Sequence, residues 1–182
     1  PLRRAADLGD RGDPDAALYW LARMLEGGED PKFIARRMII LASEDIGNAD
    51  PHALVLATSC FTAVDYIGMP EAQIILSQTA SYLASCPKSN AAVRAIGAAT
   101  HDVRTLPNAP VPLHLRNVPT KLMEELGYGE EYKYSHNYNG NFVEQQYLPD
   151  NLKDKVYYYP TEHGEEKTIR ERLLNWWKKK KR

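Results

Sequence analysis

Residues 13–51 read DPDAALYWLARMLEGGEDPKFIARRMIILASEDIGNADP, and the punctuation of this stretch decides the fold. Asp-Pro occurs three times, at Asp13-Pro14, Asp30-Pro31 and Asp50-Pro51, each time ahead of apolar residues at helical spacing. An aspartate accepts the orphan N–H groups of a first turn, and proline at the first helical position gives up only an N–H that had no partner. Each pair is therefore a helix start. The first helix covers about residues 14–26, with Leu18, Leu21 and Leu25 on one stripe beside Trp20 and Met24, and Gly27-Gly28 as its stop. The second covers about residues 31–44, turning Ile34, Met38 and Leu41 inward and carrying Arg36 and Arg37 at its middle.

Working outward, a third helix from about Pro51 to Ile67 and a fourth from about Pro70 to Ser85 are apolar around most of their circumference. That pattern predicts contact on more than one side, so both helices are expected to be central or interfacial. A fifth helix follows CPKSN and runs to about Thr105; its small residues Ala91, Ala92, Ala95, Gly97, Ala98 and Ala99 would permit close helix approach. No run alternates with period two, and short connections favour antiparallel neighbours. The fold class is all-α, a compact helical domain with a Pro/Tyr-rich extended segment and a C-terminal helix.

Composition bounds the partners. The 182 residues carry 43% apolar and 26% charged side chains with a formal net charge of -1, so nucleic acid or anionic membrane could be attracted only by local patches. The apolar runs fall short of the roughly 20 residues needed to span a bilayer, and no signal peptide is evident. The expectation is a soluble, cytoplasmic protein without membrane partners. Cys60 and Cys86 sit in helical pattern and read as reduced thiols. The chain opens with Pro1 and enters its first helix almost at once, as part of something longer would.

Sites of chemistry are scarce. There is no phosphate-binding G-x-x-x-x-G-K-[ST] loop and no G-x-S-x-G elbow. His101-Asp102 invites a metal-dependent hydrolase reading, but that chemistry needs more ligands on neighbouring helices, and His52 is the only other candidate there. Glu44-Asp45 reads more simply as solvated or paired with Arg36 or Arg37 than as an acid/base pair. Neither catalytic residues, metal ligands nor cofactor-binding residues are expected in this chain.

Three blocks carry a resemblance: residues 12–51, GMPEAQIILSQTASYLASCPKSNAA at 68–92, and PVPLHLRNVPTKLMEELGYGEEYKY at 110–134 followed by QQYLPDNL. Together, over about Asp13 to Leu152, they resemble the C-terminal region of the replication-associated recombination protein A family, bacterial relatives of the Werner-helicase-interacting AAA+ ATPases. The resemblance implies an N-terminal AAA+ module, a lid, and a helical C-terminal domain that builds a homotetramer. It further implies action at stalled replication forks and in recombination, DNA binding, association with single-strand-binding protein through the parent, and nucleoid association. The family's ATP and magnesium belong to the N-terminal module, and its Walker motifs and arginine finger have no counterpart here. The expected organisation is residues 1–12 as the end of the lid or a linker, 13–152 as the helical domain, and 153–182 as a Tyr-rich strap and basic helix.

Candidate contacts follow. For oligomerisation they are Val55, Phe61, Ile75 and Tyr82, with Val55 and Ile75 facing outward. In the 109–134 segment Pro110, Pro112 and Pro119 fix backbone angles in advance. Leu113, Leu115 and Val118 would anchor this strap on the helical core, a short helix would run from Pro119 to Leu126, and Gly127 would stop it. Arg116, Asn117 and Lys121 would then be presented from an ordered surface, with Arg116 read more simply as part of a packed connector, pairing with a carboxylate or capping carbonyls, than as a phosphate or partner contact. Tyr157 to Tyr159 form an apolar strap or stack on bases. Ile169, Leu173 and Trp176 or Trp177 line a last helix ending in Lys178, Lys179, Lys180, Lys181 and Arg182, which are either solvated charge or phosphate ligands. A DNA-binding module using Arg36, Arg37, Arg116 and this tail is the alternative to an assembly domain, with weak DNA binding expected either way.

Overall fold

A computed structural model describes residues 12–117 and 119–177. Its described residues form α1 (Pro14–Glu26), α2 (Pro31–Leu41), α3 (His52–Ile67), α4 (Ala72–Ser85), α5 (Ala91–Thr105), α6 (Lys121–Glu125) and α7 (Glu166–Trp176), with no strand among them. The fold is all-α. The chain divides into two compact units, one of residues 1–95 and 158–170, the other of 96–157 and 171–182. Among the described residues no helix is long and apolar enough to cross a membrane.

In the first unit the aspartates act as the sequence requires. Asp13 accepts from Ala16 N at 3.0 Å, Asp30 from Lys32 N at 2.9 Å and Asp50 from His52 N at 3.1 Å. At the end of α1 Gly28 takes φ +80°, while the N–H groups of Glu29 and Gly28 return to the carbonyls of Met24 and Leu25 at 3.0 Å each. That pairing is a Schellman motif, which needs a left-handed residue at this place.

The second helix departs from expectation. Its α ladder ends at Leu41, and Ala42–Ile46 form a single π turn before a 3-10 turn at Gly47–Ala49. Continued as α-helix, the chain would carry Asp45, seven residues after Met38, onto the core side. One extra residue in the turn brings Ile46 there instead, and Ile46 is fully buried.

The core draws on Leu21 and Met24, Ile34, Met38 and Leu41, Ile46, Ala53, Ala57, Cys60 and Val64, and Leu76, Ala80 and Leu83. Helix α4 is the centre of the bundle, packing on α1, α2 and α3, while α3 packs on α2 and α4. The small residues that permit close approach are Ala53, Ala57 and Cys60 on α3. Of those on α5, expected to serve the same purpose, Ala91 is buried, whereas Gly97 is exposed and a Cβ built there meets nothing within 4 Å. Both cysteines are buried and unpaired.

Candidate assembly surface and buried carboxylates

The outward faces of α3 and α4 have an unusual composition. On α3, Val55, Ser59, Thr62 and Tyr66 recur at intervals of four, three and four residues and are all exposed, Val55 by 58% and Tyr66 by 82%. On α4, Ile74, Gln78, Ser81 and Ser85 repeat the same spacing, with Ile74 65% exposed. None is charged. Within the two helices the one charged residue is Asp65, which pairs with Lys32. A helix face turned to water ordinarily carries charge.

Three hydroxyls of these stripes are already engaged. Thr62 donates to Thr58 O at 3.2 Å, Ser81 to Ser77 O at 2.9 Å and Ser85 to Ser81 O at 2.8 Å. Covering these three hydroxyls would therefore leave none of their protons without an acceptor, which is the main cost of burying hydroxyls.

The expected contact residues are distributed differently. Val55 faces solvent, but Ile75 is half-buried against the core, and its neighbour Ile74 holds the outward place instead. The reason is phase: Ile75 lies one residue before buried Leu76 and four before buried Thr79. Phe61 and Tyr82 also pack on the core, and the Tyr82 hydroxyl donates to Asp50 Oδ2 at 2.7 Å. That hydrogen bond to a carboxylate pushes the Tyr82 phenol up to about 12. Cys86 also donates to Asp50 Oδ2, at 3.4 Å, and burial first, then the carboxylate, pushes its thiol up to about 11. Burial alone would raise Asp50, but hydrogen bonds from Tyr82, Cys86 and His52 hold it below the usual carboxylate range.

Two of the candidate cations lie on α2 in the first unit. Arg36 is exposed, 3.9 Å from Asp30, and Arg37 is half-buried on the same helix. In the second unit Lys121 is exposed at the start of α6. Arg116 is folded back: its Nε donates to Val111 O at 2.7 Å, an Nη donates to the Tyr128 hydroxyl at 3.0 Å, and the guanidinium lies 4.9 Å from the Tyr128 ring centre. The strap is thus clamped by Arg116, while Leu113, an expected anchor, stays 48% exposed. Leu115 is half-buried and Val118 lies outside the described residues. The short helix is only Lys121–Glu125, and Gly127 stops the segment with φ +77°. Lys178, Lys179, Lys180, Lys181 and Arg182 also lie outside the described residues, as does residues 1–11.

His101 and Asp102 diverge. The imidazole is exposed, whereas Asp102 is buried and accepts from Lys155 Nζ at 2.7 Å and from the Tyr157 hydroxyl at 3.0 Å. The Lys155 ammonium holds the Asp102 carboxyl below its ordinary range. Among the described residues no group of three or more His, Cys, Asp or Glu side chains could hold a metal ion.

A second buried carboxylate escaped the sequence reading. Glu166, the first residue of α7, has no exposed surface and accepts four hydrogen bonds in the first unit: Ser89 Oγ at 2.6 Å, Thr161 N and Oγ1 at 2.7 Å each, and Tyr158 OH at 2.8 Å. Asn48 Nδ2 in turn donates to the Tyr158 oxygen at 3.0 Å. Burial pushes this carboxyl up, and the four donors outweigh burial, so it rests below the usual range. The same segment is seated by Glu165 N on Ala49 O at 2.9 Å, with Gly164 at φ +52°. The only local signal was Gly164 among charged residues; Asn48 and Ser89 are too distant in sequence for any motif to reveal.

Comparison with known proteins agrees with this architecture. The family model for the MgsA AAA+ ATPase C terminal matches residues 11–177. Replication-associated recombination protein A of Coxiella burnetii is 46% identical over 162 residues, covering 88% of this chain and 37% of that protein. The Escherichia coli K12 protein of the same name is 46% identical over 161 residues, covering 88% of this chain and 36% of its own. ATPase WRNIP1 of Dictyostelium discoideum is 43% identical over 147 residues, covering 80% of this chain and 17% of its own. The chain thus spans little more than a third of the length of these two bacterial relatives. With the match running through both compact units, the chain belongs to the family of MgsA AAA+ ATPase C-terminal regions.

Proposed function

We propose that this chain is the assembly domain of a longer AAA+ ATPase that works in DNA replication and recombination, and that it joins subunits into a homotetramer. The observation that carries the reading is the pair of charge-free, outward stripes on α3 and α4, with the Thr62, Ser81 and Ser85 hydroxyls already bonded within their own helices. Symmetric closed assemblies are the usual form of soluble oligomers, and a surface without charge suits a buried interface. The relatives' names supply the context of replication, recombination and ATPase activity. In this reading ATP and magnesium belong to the parent's nucleotide module and this chain turns over no ATP. DNA contact through it is weak, single-strand-binding protein is met through the parent, and the assembly works in the cytoplasm at the nucleoid.

The test places a charge on each stripe. Val55→Glu and Ile74→Glu are expected to split the assembly while leaving the helical circular dichroism unchanged, because both side chains point away from the core. Assembly that survives both substitutions would put the interface elsewhere.

A further inference from the structure

From Ile96 onward α5 lies in the second unit, where its buried side is marked by Asp102 with its donors Lys155 and Tyr157. Ile96, Thr100 and Val103 follow one another at intervals of four and three residues, so they share a face roughly opposite Asp102. Ile96 is 66% exposed and Val103 82% exposed, with Thr100 partly exposed between them. Single apolar residues at a surface are ordinary, but these two stand two turns apart on one stripe.

Gly97 adjoins the stripe. Glycine weakens a helix interior relative to alanine, and among the described residues no close neighbour requires one at this place. What the missing side chain leaves is a notch beside Ile96, open to a side chain of another molecule. Along the same edge of the helix lie His101 and Arg104, both exposed. Arg104 makes no ion pair among the described residues. The one carboxylate of α5, Asp102, is turned away from this face and already bonded.

We infer that this face of α5 docks an amphipathic helix of a partner protein, one whose apolar seam is edged by glutamate or aspartate. Intervals of four and three match the seam of a second helix crossing at a shallow angle, and the notch at Gly97 lets the two axes approach. The partner's apolar side chains cover Ile96 and Val103, and a carboxylate at the edge of its seam meets the Arg104 guanidinium in the forked geometry that arginine favours. A second copy of α5 is a poorer occupant, because it brings the same cation and no free carboxylate, so both Arg104 side chains would lose water without gaining a counter-ion. Nucleic acid would bring phosphates to Arg104 but little to cover two aliphatic side chains. The surface uses no residue of α3 or α4 and does not depend on the assembly reading.

The experiment is a fluorescence anisotropy titration of the full 182-residue chain with a labelled helical peptide of about 21 residues, long enough to hold a helix in water. Its leucines recur at intervals of three and four and its glutamates line one edge; a second peptide has lysines in place of the glutamates. Saturable binding of the glutamate peptide is expected, about 3-fold or more tighter than that of the lysine peptide. Val103→Glu should weaken it about 10-fold or more, and Arg104→Glu should reverse the preference between the two peptides. Gly97→Leu should weaken binding about 5-fold or more while the helical circular dichroism is kept or rises, a combination that a merely structural glycine would not give. Equal binding of both peptides, no saturable binding of either up to about 1 mM, or unchanged affinity in Val103→Glu and Gly97→Leu with wild-type circular dichroism would each overturn the inference. So would loss of self-association in Val103→Glu, which would make a second copy the occupant. Sedimentation of the same samples reports assembly separately, so loss of this surface leaves the assembly reading standing.

Discussion

The Ser89 hydroxyl lies 2.6 Å from Glu166 Oε2, joining the loop before α5 to the first residue of α7 across 77 positions of sequence. Glu166 is the acceptor for four donors and has no access to water, so its removal leaves those donors unpaired in a buried place. Ser89→Ala should cost about 1–2 kcal/mol, and Glu166→Ala about 3–5 kcal/mol, in urea unfolding. Equal stability of Glu166→Ala and wild type would show that these hydrogen bonds add nothing net.

Acid should destabilise the fold. Burial pushes Glu166 and Asp50 up but their hydrogen bonds prevail, and Lys155 lowers Asp102, so all three carboxyls rest below their ordinary values. Over that window the unfolded chain binds more protons than the folded one, and stability falls as pH drops. The contribution is complete above the unfolded values of about 3.9 to 4.3 and is lost as pH falls through the folded ones. The urea midpoint should hold steady between pH 7 and about pH 5 and decline below; a flat profile to pH 3 would exclude the assignment.

Two glycines should respond in opposite directions to alanine. A Cβ at Gly164 would stand 2.1 Å from Ala49 O, on a backbone at φ +52° that side chains rarely adopt. Gly164→Ala should cost at least about 2 kcal/mol. Gly97, in mid-helix with open space at its Cβ, should gain about 0.5–1 kcal/mol on the same change. Thermal melts of the two variants check both signs, and a Gly164→Ala variant as stable as wild type would mean that the 158–166 segment does not seat on Ala49.

What the sequence made legible is what short-range chemistry controls. Asp13-Pro14, Asp30-Pro31 and Asp50-Pro51 announced three helix starts because capping and proline's missing N–H act within one turn. The apolar circumference of α3 and α4 was readable too, and α4 does pack on α1, α2 and α3. The phase of each stripe was not: Ile74 and Ile75 differ only in their angle to buried Leu76. The π turn was hidden because it serves Ile46, whose place in the core depends on helices elsewhere. Glu166 was missed, and the Tyr128 partner of Arg116 was not foreseen, for the same reason, since Tyr128, Ser89 and Tyr158 are set by the fold.

Sedimentation equilibrium of the isolated chain over a range of concentrations reads out whether α3 and α4 present a subunit interface. A species of four times the 20.6 kDa chain mass is expected at tens of micromolar, dissociating through smaller forms on dilution. A single 20.6 kDa species throughout that range would contradict it.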